Sequence, residues 1–168
     1  NHFDHSNHES LGGDPFLING PGEYEAQGVY VRGISAFHDK SQGKERGLNT
    51  IYVLEMEGIR LAHLGDFGEG TLRNETLEEM GDIDILLIPV GGIYTINAEE
   101  AAAVKELEPR FVIPMHYKLP GLTVKLDPVD NFLKEMGAGK TEAVDKLTLK
   151  KKDVEEEEKT EVVVMKPA

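Results

Sequence analysis

Ile83-Asp84-Ile85-Leu86-Leu87-Ile88-Pro89-Val90 is almost continuous apolar sequence, which fits a strand buried on both faces. The flanks of this stretch are helical in pattern. Upstream, Glu75 to Met80 predicts a short helix with a natural stop at Gly81. Downstream, Asn97 followed by Glu100 is a capping box with Asn as the cap, and it opens a helix that runs to Leu107. Pro109 marks the exit, and Phe111 to Met115 is a second buried strand. Asp127 or Pro128 starts another helix, which reaches Met136 and ends at Gly137.

Before Asp66 the pattern is β. Phe16-Leu17-Ile18 reads as a short strand and Gly20-Pro21-Gly22 as a turn. Tyr24 to Ser35 reads as one or two strands, from the alternation of Val29, Val31 and Ile34. His38 to Leu48 is a polar, charged loop. Thr50 to Glu55 and Ile59 to Leu64 form a hairpin about Met56-Glu57-Gly58. At the other end of the chain, Leu147 to Lys151 and Glu161 to Met165 read as strands. The Glu155–Glu158 run between them reads as a solvated turn, with Lys150–Lys152 pairing loosely across it. A chain that is mostly β and then alternates β with α forms a layered α/β architecture, with helices over a mixed sheet.

Composition narrows the function classes. The 168 residues suffice for one domain with a core. Hydrophobic residues make up 39% and charged residues 29%, as in an ordinary globular protein. No apolar run is long enough to cross a bilayer. Eighteen Lys and Arg against 31 Asp and Glu give a formal charge of −13, which argues against nucleic-acid and anionic-membrane partners. A small-molecule substrate remains open, even an anionic one, because a metal pair can dominate the local field. Cysteine is absent, so any metal ligands are His and carboxylates. That absence also suits the cytoplasm, the expected location.

Six His stand at positions 2, 5, 8, 38, 63 and 116. His2-Phe3-Asp4-His5 puts two imidazoles and a carboxylate within four residues. Zinc and similar cations accept such ligands at about 2.0–2.2 Å. Three more candidates each follow an apolar strand: His38 after Ile34-Ser35-Ala36-Phe37, Asp66 after Leu61-Ala62-His63-Leu64-Gly65, and His116 after Phe111-Val112-Ile113-Pro114-Met115. Strand ends are where layered α/β proteins commonly build sites. A single strand-terminal His is usually just a polar residue leaving the core. Three such positions together with the N-terminal cluster make a constellation.

Asn1-His2-Phe3-Asp4-His5 resembles the tail of the His-x-His-x-Asp-His signature of metallo-β-lactamase-fold proteins. Phe37-His38-Asp39, His63-Leu64-Gly65-Asp66 and Pro114-Met115-His116-Tyr117 follow in the family's order. Together with Ile88-Pro89-Val90-Gly91-Gly92, they are similar to the branch of ascorbate-6-phosphate lactonase and N-acylphosphatidylethanolamine-hydrolysing phospholipase D relatives. The resemblance covers nearly the whole chain. It implies one metallo-β-lactamase-like αββα sandwich over residues 1–168, lacking its opening β layer. It also implies a dinuclear hydrolase with two divalent ions, zinc foremost and manganese or iron as alternatives. His2 and His38 would bind the first metal, Asp4, His5 and His116 the second, and Asp66 would bridge the two. Asp4 and Asp66 would be the catalytic carboxylates that fix metal geometry and orient the attacking water. The family's first signature His would stand just before Asn1 and is not in this chain, so the first metal loses one of its three His ligands. Tyr94 and Tyr117 are candidates for the pocket mouth. His63, Arg46 and Gly91-Gly92 read more plainly as a buried second-line imidazole, a solvated loop cation and a tight turn.

The expected activity is hydrolysis of a small ester, lactone or phosphodiester by a metal-activated water. A truncated, non-catalytic metal-binding domain is the alternative. A nuclease of the same superfamily fits less well, because Asp66 and His116 are only 50 positions apart, too close for the large inserted domain of the RNA-processing members. Relatives of this kind are often assemblies, so a homo-oligomer is open.

Overall fold

The computed structural model describes residues 12–167. Seven strands form a single sheet in sequential order: β1 (Gly22–Ala26), β2 (Val29–Phe37), β3 (Leu48–Met56), β4 (Ile59–His63), β5 (Ile85–Pro89), β6 (Phe111–Met115) and β7 (Glu161–Val162). β1 to β4 are an antiparallel meander, and β4 to β7 are parallel. The change falls where the sequence turns from hairpin signals to helix crossovers, as parallel pairing requires. Among the described residues, the apolar triplet Phe16 to Ile18 forms no strand. It runs outside the ladder, with Phe16 and Leu17 exposed and the Ile18 carbonyl accepting from the Tyr52 hydroxyl.

One face of the sheet carries the main core. Ile34, Ile51, Val53, Ala62, Leu86, Ile88, Val112 and Val162 point to it. They pack against Met80 of α1 (Asn74–Met80), Ala101 of α2 (Ala98–Ala103), and Phe132 and Leu133 of α3 (Val129–Met136). The predicted stops hold: α1 ends at Gly81, and α3 ends at Gly137 in a left-handed cap. The predicted long helix from Asn97 is shorter in its α portion and tightens into a 3₁₀ turn over Val104–Leu107.

The C-terminal reading needs correction. Lys151–Glu156 is a helix, α4, and not the end of one strand followed by a solvated turn. Its start is fixed by Lys150 N donating to Asp153 Oδ2 at 2.7 Å. Its buried Val154 joins Ile85, Phe111 and Val163 on the second sheet face. Leu147 and Leu149 pack there too, without a ladder partner in the described residues. Lys152 pairs with Glu156 along the helix at 3.5 Å, and Lys151 reaches Asp84 at 3.7 Å. Of Glu161 to Met165, only Glu161–Val162 pairs as a strand, with a bridge from Met165 to Val144.

The capping box on α2 is present. Asn97 accepts from Glu100 N at 2.9 Å, and Glu100 accepts from Asn97 N at 3.1 Å. Asn97→Ala is expected to cost about 1 kcal/mol, read as a lower urea midpoint at unchanged slope.

Candidate metal centre

His38, Asp66 and His116 lie just beyond the ends of β2, β4 and β6. The sheet brings these three strand ends together. The Asp66 carboxylate stands between the two imidazoles and turns a different oxygen to each. Oδ1 is 3.1 Å from His116 Nδ1, and Oδ2 is 3.8 Å from His38 Nε2. The His38 side chain is 6% exposed and that of His116 is 28% exposed, so the cluster opens on the His116 side. His2, Asp4 and His5 lie outside the described residues.

Each of the three is locked by its backbone. Phe37, the residue before His38, donates its N–H to Glu69 Oε1 at 2.8 Å and accepts from Gly68 N at 3.0 Å. His38 N donates to Gly47 O at 3.1 Å. Glu69 is itself held by Arg73 Nε at 3.1 Å. The loop after His38 wraps a buried carboxylate: Asp39 accepts from the amides of Ser41, Gly43, Glu45 and Arg46. Burial works against the Asp39 charge. The four amide donors outweigh it and hold its carboxyl below the usual range.

His116 takes a left-handed backbone, φ +57°, a conformation that strains most L-residues and is concentrated at functional sites. Gly91 packs directly beneath it: a Cβ there would stand 1.9 Å from His116 O. This close approach shows that Gly91 does more than make a tight turn. Asp66 is presented by a turn at Gly65, whose φ is +59°.

His63 is on the face opposite Ala62, paired in register with Tyr52 and Leu87. Its Nδ1 accepts from Gly65 N at 3.0 Å. Burial pushes its pKa down, nearby His116 adds to that, and Asp66 opposes it. A neutral ring is what the accepted hydrogen bond needs.

The Arg46 guanidinium lies 5.9 Å from the Tyr94 ring centroid, so this cation packs on an aromatic face as well as meeting solvent. That contact joins the loop after His38 to the loop after Gly91. The Lys40–Glu100 ion pair and the Ile96 N to Phe67 O hydrogen bond tie the same region together. The half-buried Tyr117 gives its hydroxyl to Met165 O at 3.1 Å, and burial raises its pKa.

Two imidazoles with one carboxylate between them are a donor set that suits a borderline divalent cation. Among the described residues, no three His, Cys, Asp or Glu side chains converge closely enough to hold an ion by themselves. His38, Asp66 and His116 therefore fit a metal as part of a centre that needs further donors. The sequence reading passed over Asn49 and Glu69, and gave Asp39 no role beyond its place beside His38, although these side chains fix the backbone around the three candidates. The only signal for them was position: Asp39 follows His38 directly, and Glu69 and Asn49 border the same strand ends.

Comparison with known proteins shows the family. The beta-lactamase superfamily domain profile matches residues 1–116. A solved structure from Thermotoga maritima, assigned to the Zn-dependent hydrolases of the metallo-β-lactamase superfamily, superposes with a TM-score of 0.80 at 40% identity. The match covers 96% of this chain and 77% of that one. The chain belongs to the metallo-β-lactamase superfamily. Two superfamily relatives carry the name UPF0173 metal-dependent hydrolase. One, from Thermococcus onnurineus, is 42% identical over 57% of this chain and 44% of its own length. The other, from Natranaerobius thermophilus, is 30% identical over 91% of this chain and 58% of its own length. The chain thus spans about half the length of these curated relatives. Its seven-stranded sheet with helices supplies the α/β fold expected of the superfamily. No described helix is long and apolar enough to cross a membrane.

Proposed function

We propose that this chain carries the metal-binding core of a hydrolase that acts on a small ester, lactone or phosphodiester. The observation that supports it is the Asp66 carboxylate, with one oxygen facing each of two imidazoles. That is the disposition of a ligand shared between two cations. In this reading His2 and His38 hold one ion, Asp4, His5 and His116 the other, and Asp66 stands between them. Two divalent ions, zinc foremost, would supply an activated water and polarise the scissile bond.

The chain's own residues do the rest. Asp4 and Asp66 would fix the metal geometry and orient the attacking water. His38, sealed in by its burial, takes no part in substrate exchange. The substrate, a small molecule, approaches past His116, the more exposed of the two imidazoles, and the exposed Tyr94 is the candidate for lining the pocket mouth. The ordered motifs favour the branch of ascorbate-6-phosphate lactonase and N-acylphosphatidylethanolamine-hydrolysing phospholipase D relatives. The net charge of −13 argues against nucleic-acid and anionic-membrane partners, and a sequence without cysteine suits the cytoplasm.

The test is metal content together with turnover. The 168-residue chain, loaded with zinc and dialysed, is expected to retain metal and to hydrolyse at least one member of a lactone, ester and phosphodiester panel. His116→Ala should lose both. A chain that holds no metal, or turnover indifferent to His116→Ala, overturns the proposal.

A further inference from the structure

We infer that Asn49 is a positioning residue for Asp66: its carboxamide is the template around which the turn carrying that carboxylate is wrapped. This rests on the reading of Asp66 as a ligand shared between two cations.

Asn49 lies near the start of β3, in register with Ala36 of β2, two residues before His38. Its side chain reaches across to the end of β4 and touches the turn at both ends. Nδ2 donates to Leu64 O at 2.8 Å, and Oδ1 accepts from Asp66 N at 3.0 Å. The two contacts require one donor and one acceptor a single carbon apart, which a carboxamide has and a carboxylate lacks. They also fix the orientation of the amide, since a flip would set oxygen against oxygen.

Gly65, between the two contacts, is shaped by the same side chain. Its φ is +59°, and a Cβ there would lie 2.5 Å from Asn49 Oδ1 and 3.3 Å from Thr50 O. Leu64 N is meanwhile tied to Leu87 O at 3.0 Å. The turn after β4 therefore has its first carbonyl, that of Leu64, and the amide of Asp66 both clamped by one residue from the neighbouring strand. With the backbone held there, the carboxylate has little freedom except rotation about its own side-chain bonds. It can then present separate oxygens to His38 and His116. Partners that orient a ligand in this way commonly carry about 10–100-fold of metal affinity.

The experiment compares wild type, Asn49→Ala and Asn97→Ala. Asn97→Ala serves as a control that lowers stability without touching the centre. Three readouts are taken on the 168-residue chain: zinc affinity by chelator competition, the visible spectrum of the cobalt-loaded protein, and exchange of the Asp66 amide proton in the metal-free protein. For Asn49→Ala we expect zinc affinity to fall about 10–100-fold, the cobalt bands to shift, and the Asp66 amide to lose protection. Asn97→Ala should keep wild-type affinity and spectrum. If Asn49→Ala does not fold, Asn49→Ser leaves a smaller cavity and carries the same expectation. Wild-type affinity and spectrum in the Asn49 variant overturn the inference while leaving the hydrolase reading in place. An equal loss of affinity in Asn97→Ala overturns it as well, since the effect would then be general destabilisation. Wild type that binds neither zinc nor cobalt overturns both.

Discussion

Gly91→Ala is expected to lower stability by about 3 kcal/mol, the upper end of the usual overpacking range, and to cut any hydrolytic turnover by about 100-fold, the effect of roughly an ångström of misplacement at a reacting centre. The added methyl would stand 1.9 Å from His116 O and 2.9 Å from Leu126 Cδ2. The leucine tip can rotate away. The carbonyl belongs to a backbone fixed on both sides, with Val90 N bonded to Met115 O at 3.0 Å and Lys118 N bonded to Asp127 O at 2.9 Å. His116 must therefore move, and its left-handed conformation leaves little room to do so by twisting. Urea unfolding and turnover measured on the same preparation check both parts. A loss of stability below about 1 kcal/mol, within the range of ordinary surface substitutions or little above it, would show that the contact relaxes without cost.

Asp66→Ala is expected to reduce bound metal to background and turnover by more than the roughly 100-fold that marks the upper range for second-line partners of a metal ligand. The reason is electrostatic as well as geometric. In the described part of the cluster, Asp66 is the one negative charge between two imidazoles. Without it, neither imidazole shares a charged donor with the other. Asp66→Asn, which keeps the shape and one oxygen, should fall between wild type and the alanine variant. Metal quantification and turnover within tenfold of wild type in Asp66→Ala would remove the shared-ligand role.

Much of this was legible in the sequence, for identifiable reasons. Gly81 and Gly137 stop helices because chain reversal there needs a backbone that glycine adopts cheaply. Asn97 and Glu100 start one because their side chains answer each other's amides. The strand-end placement of His38, Asp66 and His116 was readable because each follows an apolar run whose burial fixes its direction. The C-terminal region was not. Leu147 and Leu149 alternate like a strand, but both pack as isolated apolar contacts on the second sheet face. The helix that follows declares itself only through Asp153, three residues after Lys150, in a run whose charges looked like a turn. Asn49 was hidden for another reason: its partners, Leu64 and Asp66, lie 15 and 17 residues away, and nothing local in a polar residue near the start of a strand reports what it meets across the sheet.

The sequential strand order has a consequence for how the molecule assembles. Among the described residues each strand after β1 pairs with the one before it, so each pairing closes a loop no longer than one connection, which limits the chain entropy lost before contacts begin to reward it. During synthesis a newly emerged strand would find its docking edge already built. His38 and Asp66 are thus neighbours as soon as the meander closes, whereas His116 arrives two strands later. The three side chains thus come from strand ends spread over the described sheet, and the cluster needs β6 docked in place as well as the closed meander.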